Sequence, residues 1–167
     1  ETLDAINSYK IPQTEAAFFL SSKAVALANL GKLEQAVKYC QESLSLDSTN
    51  IHTHFTLAMV FVELNKFDKA ESALRKTLFL DHQFVVGHFQ LGLLQLRNKQ
   101  NDSGLKNLRN ALSIVETKNP TDAVSGFQGL QYGRLTEILK HEIALHVSTG
   151  SINNESKNKK NYTEKHK

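Results

Sequence analysis

Proline is scarce in this sequence, and both prolines lie outside its periodic part. Pro12 and Pro120 leave about a hundred residues between them in which no proline interrupts a helix. Apolar residues make up 40% of the 167 residues and charged residues 22%, which is the composition of a globular protein and excludes wholesale disorder. We therefore expect one domain with a buried core, built from helices and not from strands and turns.

Cysteine and long apolar runs are also lacking. The single cysteine, Cys40, cannot form an internal disulfide, and no cysteines and histidines have the spacing of a zinc site. No apolar run approaches the ~20 residues that span a bilayer, and no signal sequence opens the chain. These absences predict a cytoplasmic protein without a membrane partner. The first ten residues contain no methionine, as expected of a piece cut from a longer protein.

Net positive charge is absent from most of the chain. In residues 148–167 the excess of lysine over acidic residues equals the whole net charge of +3. The first 147 residues therefore carry no net charge. Nucleic-acid-binding domains concentrate basic residues on a folded face, with aromatic residues for stacking. We therefore do not expect a nucleic acid as partner.

One segment recurs at a spacing of 34 residues. Residues 33–37 (LEQAV) align without a gap with 67–71 (FDKAE) and 101–105 (NDSGL). Small residues recur at the same spacing, at Ala24, Ala58 and Gly92 and at Ala36, Ala70 and Gly104. Small side chains let two antiparallel helices pack at the short end of the usual ~8–10 Å range. A period of 34 residues is that of the tetratricopeptide repeat (TPR), a helix, a tight turn and a second helix.

The pattern predicts an all-α TPR helical solenoid of three helix-turn-helix repeats and a C-terminal capping helix. The repeats lie at about 17–50, 51–84 and 85–118. Their helices are expected at 14–30, 33–46, 51–64, 67–80, 85–98 and 102–116.

The ends of the chain are predicted separately. Residues 1–13 are expected to be a linker or a short helix, and a loop through Pro120 and Gly126 leads to the capping helix at 129–147. Residues 148–167 are predicted to be a flexible polar tail. The capping helix either stacks on the third repeat or folds back into the groove of the solenoid; stacking is favoured, because a solenoid needs a cap.

The first helix of each repeat lines the inside of such a solenoid. The predicted partner-binding residues on this concave face are Val25, Asn29, His52, Phe55, Met59, Val62, Glu63, Phe89, Leu93, Leu96 and Arg97. Most are apolar, and monomers rarely leave such a stripe bare. We expect it to bind an amphipathic helix or an extended apolar segment of a protein; alternatively the capping helix or a second copy of the chain covers it. A clamp for a C-terminal carboxylate fits poorly, because only Asn29 and Arg97 have suitable side chains.

No group of residues predicts catalysis, a cofactor site or a metal site. His54 and His88 occupy equivalent positions and could share a metal, but no carboxylate or thiol completes a ligand set, so core packing is favoured. Cys40 is predicted to be a small buried residue and not a nucleophile. No Gly-rich strand-to-helix turn indicates a nucleotide-type cofactor. The chain itself is therefore not expected to be an enzyme.

Four motifs indicate a family resemblance that is more specific than the repeat period alone. They are LFLDHQF at 78–84, HFQLG at 88–92, LRNAL at 108–112 and GLQYGRL at 129–135. The series resembles the repeat region that follows the catalytic domain in a subset of CheR-type chemotaxis receptor methyltransferases, over about residues 20–140. The resemblance implies a parent enzyme that transfers a methyl group from S-adenosylmethionine to receptor glutamates. This region would then be its docking part, which binds a chemotaxis signalling protein or a helix of the parent. The alternative is a stand-alone bacterial adaptor in another pathway.

Overall fold

The computed structural model describes residues 12–125, 127 and 129–164, and for residues 149–164 it describes the helical backbone alone. Within this part of the chain the fold is all-α. Its seven helices are α1 (Gln13–Asn29), α2 (Leu33–Leu46), α3 (Ile51–Glu63), α4 (Phe67–Leu80), α5 (Val85–Arg97), α6 (Asn101–Val115) and α7 (Tyr132–Glu164). The first six confirm the predicted helices to within one residue at each end. The predictions for residues 1–11 and for Gly126 lie outside the described residues.

The same turn ends the first helix of each repeat. Gly31, Asn65 and Lys99, spaced by the repeat length, adopt positive φ angles of 72°, 56° and 60°. The residue that follows each of them donates its amide to a carbonyl five positions back, at 2.8–2.9 Å. This is the Schellman arrangement, which satisfies the last carbonyls of a helix and reverses the chain. Glycine adopts this conformation without strain, whereas the asparagine and the lysine adopt it at some cost in free energy.

Side-chain caps open the next repeat. The Asn50 side chain accepts the Thr53 amide at 2.9 Å, which caps the start of α3. Just upstream, Asp47 accepts the Thr49 amide at 3.0 Å, and the equivalent Asp81 accepts the Gln83 amide at 2.8 Å. Asp, Ser and Asn side chains are common at such positions, because their oxygens accept the free amides at the start of a helix.

The small residues of the repeat lie where helices meet. Ala24, Ala36, Ala58 and Ala70 are completely buried. The third repeat has glycine at both equivalent positions, and its helices come closer still. A methyl group added at Gly92 would lie 3.1 Å from the Gly104 carbonyl oxygen. Close helix approach is therefore the reason for small residues at these positions.

The last helix differs from its prediction at both ends. It begins at Tyr132 and not at 129, because two backbone hydrogen bonds tie its first residues to 120–122: the Tyr132 amide donates to the Asp122 carbonyl (3.0 Å) and the Gly133 amide to the Pro120 carbonyl (2.8 Å). It also continues to Glu164, through most of the segment that the sequence predicts to be a flexible polar tail. The sequence has no proline after Pro120, and a polar helix can continue without an apolar face. The predicted tail residues 165–167 lie outside the described residues.

The chain divides into two compact units at Gly87. We call the part up to Gly87, with α1 to α4, the N-terminal unit, and the part from His88 the C-terminal unit. In the C-terminal unit α7 packs against α6 and buries Leu135 and Leu139. Lys140 of α7 also forms an ion pair of 3.3 Å with Glu116, at the end of α6. Of the two predicted positions for this helix, the structure thus shows packing on the third repeat. No helix of the described residues is long and apolar enough to cross a bilayer.

Candidate functional site

Most of the predicted binding residues of the N-terminal unit lie on one side of α3. We call this side, formed by His52, Phe55, Met59, Val62 and Glu63, the α3 face. At 3.6 residues per turn these positions fall within an arc of about 100°. The apolar residues among them are half-buried, and His52 and Glu63 are exposed. The neighbouring helix α1, which contacts α3, adds the exposed residues Val25 and Asn29.

Phe84 fixes the position of this face, and the sequence analysis missed it. Its ring is buried and meets Phe55 edge-on, with ring centroids 5.2 Å apart and planes at 68°. The His52 ring meets it in the same manner at 5.9 Å. Edge-to-face pairs of this kind stabilise a fixed ring orientation. The repeat alignment could have identified Phe84, because this apolar residue occupies the position of the polar cap residue Asn50 in the first repeat.

In the C-terminal unit the predicted residues separate into two groups. Phe89 and Leu93 of α5 are half-buried and Arg97 is exposed. Leu96, in contrast, is only 8% exposed, and a methyl group added at Gly104 would lie 2.6 Å from its Cγ. Leu96 therefore fills the space that the glycine leaves on α6 and offers little surface for its predicted role in binding a partner.

The two equivalent histidines have different hydrogen-bond partners. His54 is half-buried and its Nε2 lies 3.0 Å from the Ser48 carbonyl oxygen. His88 is buried, and its Nδ1 lies 3.0 Å from Oδ1 of Asn107. The Asn107 amide nitrogen donates to Oε1 of the buried Gln95 at 2.8 Å, which leaves Oδ1 as the acceptor. His88 therefore carries a proton on Nδ1 and belongs to a polar network that joins α5 to α6. Core packing, favoured for both histidines, is confirmed for His88.

The described residues offer neither a metal site nor a reactive thiol. No group of three or more His, Cys, Asp or Glu side chains is arranged to hold a metal ion there. Cys40 is completely buried in the N-terminal unit, as predicted. Burial in apolar surroundings raises the pKa of its thiol from 9.0 to about 12. This thiol is therefore poorly suited to act as a nucleophile near neutral pH.

The raised pKa of Cys40 predicts that its thiol reacts slowly with thiol reagents in the folded protein. At about pH 8 its thiolate fraction is expected to be roughly a thousandfold lower than that of a free thiol, so native protein should react very slowly with a thiol reagent and denatured protein fast. Between pH 9.0 and about 12 the unfolded thiol ionises while the folded one does not. The free energy of unfolding should therefore fall as the pH rises through this window. Equal rates for native and denatured protein would contradict the burial of this thiol.

Comparison with known proteins finds one matching family model and several solved structures of similar fold. Residues 19–50 match the family model described as a tetratricopeptide repeat. Among curated proteins, none matches the sequence. The chain is similar to the type III secretion translocator chaperone SycD of Yersinia enterocolitica, with a TM-score of 0.72 and 16% identity, over 87% of this chain and 93% of that one.

Two further similar structures contain bound polypeptides. PcrH, in complex with the chaperone binding region of PopD, has a TM-score of 0.70 and 12% identity over 81% of this chain and 94% of that one. The second TPR of Spaghetti (RPAP3), bound to the HSP90 peptide SRMEEVD, has a TM-score of 0.57 and 16% identity over 59% and 91%. With the 34-residue repeat and the six paired helices, these likenesses show that the chain has the tetratricopeptide-repeat fold.

Proposed function

We propose that the chain is a protein-interaction module whose N-terminal unit binds an apolar polypeptide segment across the α3 face and Val25. The observation that carries this proposal is a set of apolar side chains that are neither buried in the core nor fully exposed. Phe55, Met59 and Val62 are half-buried, and Val25 is 40% exposed. Such a surface gains free energy when a partner covers it, by about 25 cal/mol for each Å² of apolar area removed from water.

The surface is also held in place before any partner arrives. The contact with Phe84 fixes Phe55 from below, so little side-chain freedom remains to be lost on binding. Asn29, His52 and Glu63 border the apolar residues with polar groups. An apolar centre with a polar rim is the usual arrangement of a protein-binding surface.

The chemistry of the α3 face favours an apolar segment over an acidic one. It contains no lysine or arginine, and its one charged residue, Glu63, is negative. The acidic end of a peptide such as SRMEEVD, bound by the RPAP3 repeat, finds no cationic partner on it. The likeness to PcrH, solved with a segment of another protein, supports a polypeptide ligand in general. Phe89, Leu93 and Arg97 of the C-terminal unit remain predicted binding residues.

Two settings are proposed for the module. The motifs at 78–84, 88–92, 108–112 and 129–135 support the docking region of a chemotaxis-type methyltransferase, with a signalling protein or a helix of the parent as partner. A stand-alone adaptor is supported at least as well, because the chain covers nearly all of chaperones such as SycD and PcrH. The reading frame upstream of Glu1 separates these settings: an encoded methyltransferase domain supports the first, and a start codon in its place overturns it.

The binding surface is tested with peptides selected from a random display library on the wild-type protein. We expect the selected sequences to be apolar, and Val25→Asp and Met59→Asp each to weaken their binding by at least about tenfold, since a carboxylate would be desolvated at the interface. Isothermal calorimetry measures the loss. Val25 is exposed enough for its variant to fold, which thermal melting verifies.

Leu145→Asp is the matched control, because it also places a carboxylate at an exposed apolar position but on α7 of the C-terminal unit. Its binding of the selected peptides should equal that of the wild type. Undiminished binding by folded Val25→Asp and Met59→Asp proteins would exclude the α3 face. A concentration-dependent dimer abolished by both variants would instead identify a second copy of the chain as the occupant.

A further inference from the structure

A pocket lies between α2, α3 and α4 of the N-terminal unit. Its volume is about 380 Å³, and its lining residues are Leu44, His54, Leu57, Phe61, Lys69, Ser72, Ala73 and Lys76. Leu57, Phe61 and Ala73 are buried and Leu44 is half-buried, so the floor of the pocket is apolar. Ligand pockets combine such a floor with a few polar groups that orient the ligand.

The pocket is separate from the α3 face. His54, Leu57 and Phe61 are centred roughly 130° around α3 from Phe55, Met59 and Val62, since successive residues are about 100° apart. A ligand in the pocket therefore contacts the opposite side of the same helix. The pocket shares no lining residue with the α3 face, so a ligand there does not depend on the proposed function.

The rim of the pocket is cationic. Lys69 and Lys76 lie on one face of α4, seven residues apart, and no carboxylate lines the pocket. The Nζ atom of Lys69 lies 5.9 Å from the centre of the Phe61 ring, and that of Lys76 lies 5.1 Å from the centre of the Phe79 ring. Among the described residues, neither lysine forms an ion pair. Glu71, a nearby acidic residue on α4, pairs with Arg75 at 2.6 Å.

Phe79 lies next to the pocket, beside the rim residue Lys76. It is 81% exposed, the highest value among the large apolar side chains of the described residues. It lies three residues after Lys76, which places it on the same face of the helix. An aromatic ring this exposed gains free energy when it is covered. Pocket, lysines and ring thus form one surface that is apolar in its centre and positive at its rim.

We propose that this surface binds a second polypeptide, a short acidic segment with an apolar side chain between two carboxylates. The apolar side chain enters the pocket against Leu57 and Phe61, and the carboxylates pair with Lys69 and Lys76. Seven residues of α-helix span about 10 Å, which is also about the length of three residues of a polyproline II chain at about 3.1 Å each, in which residues i and i+3 lie on the same side. The ligand therefore carries acidic residues at positions i and i+3 that flank an apolar residue.

The probe for this site is a fluorescein-labelled peptide with the core Asp-Phe-Leu-Glu, titrated with the protein and followed by fluorescence anisotropy. We expect the double variant Lys69→Glu/Lys76→Glu to weaken binding at least about tenfold, since two ion pairs become two repulsions. Added salt should weaken wild-type binding as well. Both lysines are exposed, so the fold should persist, and circular dichroism verifies it.

Three controls decide between the possible outcomes. Lys32→Glu/Lys106→Glu reverses two exposed lysines outside the pocket and should bind like the wild type. A neutral peptide with the core Asn-Phe-Leu-Gln should bind at least about tenfold more weakly than the acidic one. Met59→Asp should leave binding unchanged, which separates this site from the α3 face. Equal binding by wild type and Lys69→Glu/Lys76→Glu, or loss of binding in Met59→Asp alone, would overturn the proposal. Binding of single-stranded DNA in preference to the acidic peptide would overturn it too.

Discussion

Replacement of Leu135 and Leu139 by aspartate is expected to unfold the C-terminal unit or to cause aggregation. The two side chains are 1% and 0% exposed on the face of α7 that packs against α6. Loss of a buried leucine alone costs about 2–5 kcal/mol, and an unpaired buried carboxylate adds its desolvation. Two such sites approach the whole stability of a domain, about 5–15 kcal/mol. Thermal melting and size-exclusion chromatography measure the outcome.

The same helix provides the matched control. Leu145 and Val147 are 50% and 43% exposed, so their replacement by aspartate should change the free energy of unfolding by no more than about 0.5 kcal/mol. A folded Leu135→Asp/Leu139→Asp protein of wild-type stability would show that α7 does not cap the third repeat. Improved peptide binding by that folded protein would mean that the helix occupies the groove in solution.

Gly104→Ala is expected to destabilise the third repeat by about 1–3 kcal/mol, the usual cost of overpacking. Helix propensity alone predicts the opposite sign, because alanine is more favourable than glycine in a helix interior by about 1 kcal/mol. Packing decides here: the new methyl group would lie 2.6 Å from Cγ of Leu96 and 2.9 Å from the Gly92 carbonyl oxygen. The leucine can adjust its rotamer, but the backbone of α5 has to move as a whole.

A neighbouring residue isolates the packing effect. Ser103 lies one position earlier on α6 and is exposed, so Ser103→Ala changes helix propensity without a new contact and should be neutral or slightly stabilising. Chemical denaturation of both variants gives the comparison. A higher denaturation midpoint for Gly104→Ala than for the wild type would refute the close approach of α5 and α6.

The helices were predictable because local features determine them. The spacing of 34 residues defines each helix pair, and the capping residue Asn50 defines the start of α3. The turns were harder to predict. Gly31 is a visible C-cap, but Asn65 and Lys99 adopt the same left-handed conformation without a glycine. There the packing of the two helices determines the turn, and it outweighs the local cost of the positive φ angle.

The candidate binding residues were predicted less completely. Helical spacing placed Phe55, Met59 and Val62 on one side of α3, and the structure shows them together there. Spacing could not distinguish Leu93, which is half-buried, from Leu96, which is buried against α6. The two leucines differ in the helix that lies opposite, and a periodic pattern contains no information about that neighbour.

The sequence by itself determined the helix pairs and the small residues at which helices meet, since both follow from contacts within one repeat. Only the tertiary structure decided the rest. It placed Phe84 under Phe55, packed α7 on α6, and brought Lys69 and Lys76 to the rim of a pocket whose floor comes from α3. These features join residues from different helices. The distances between such residues depend on how side chains of particular size fill the space between the helices.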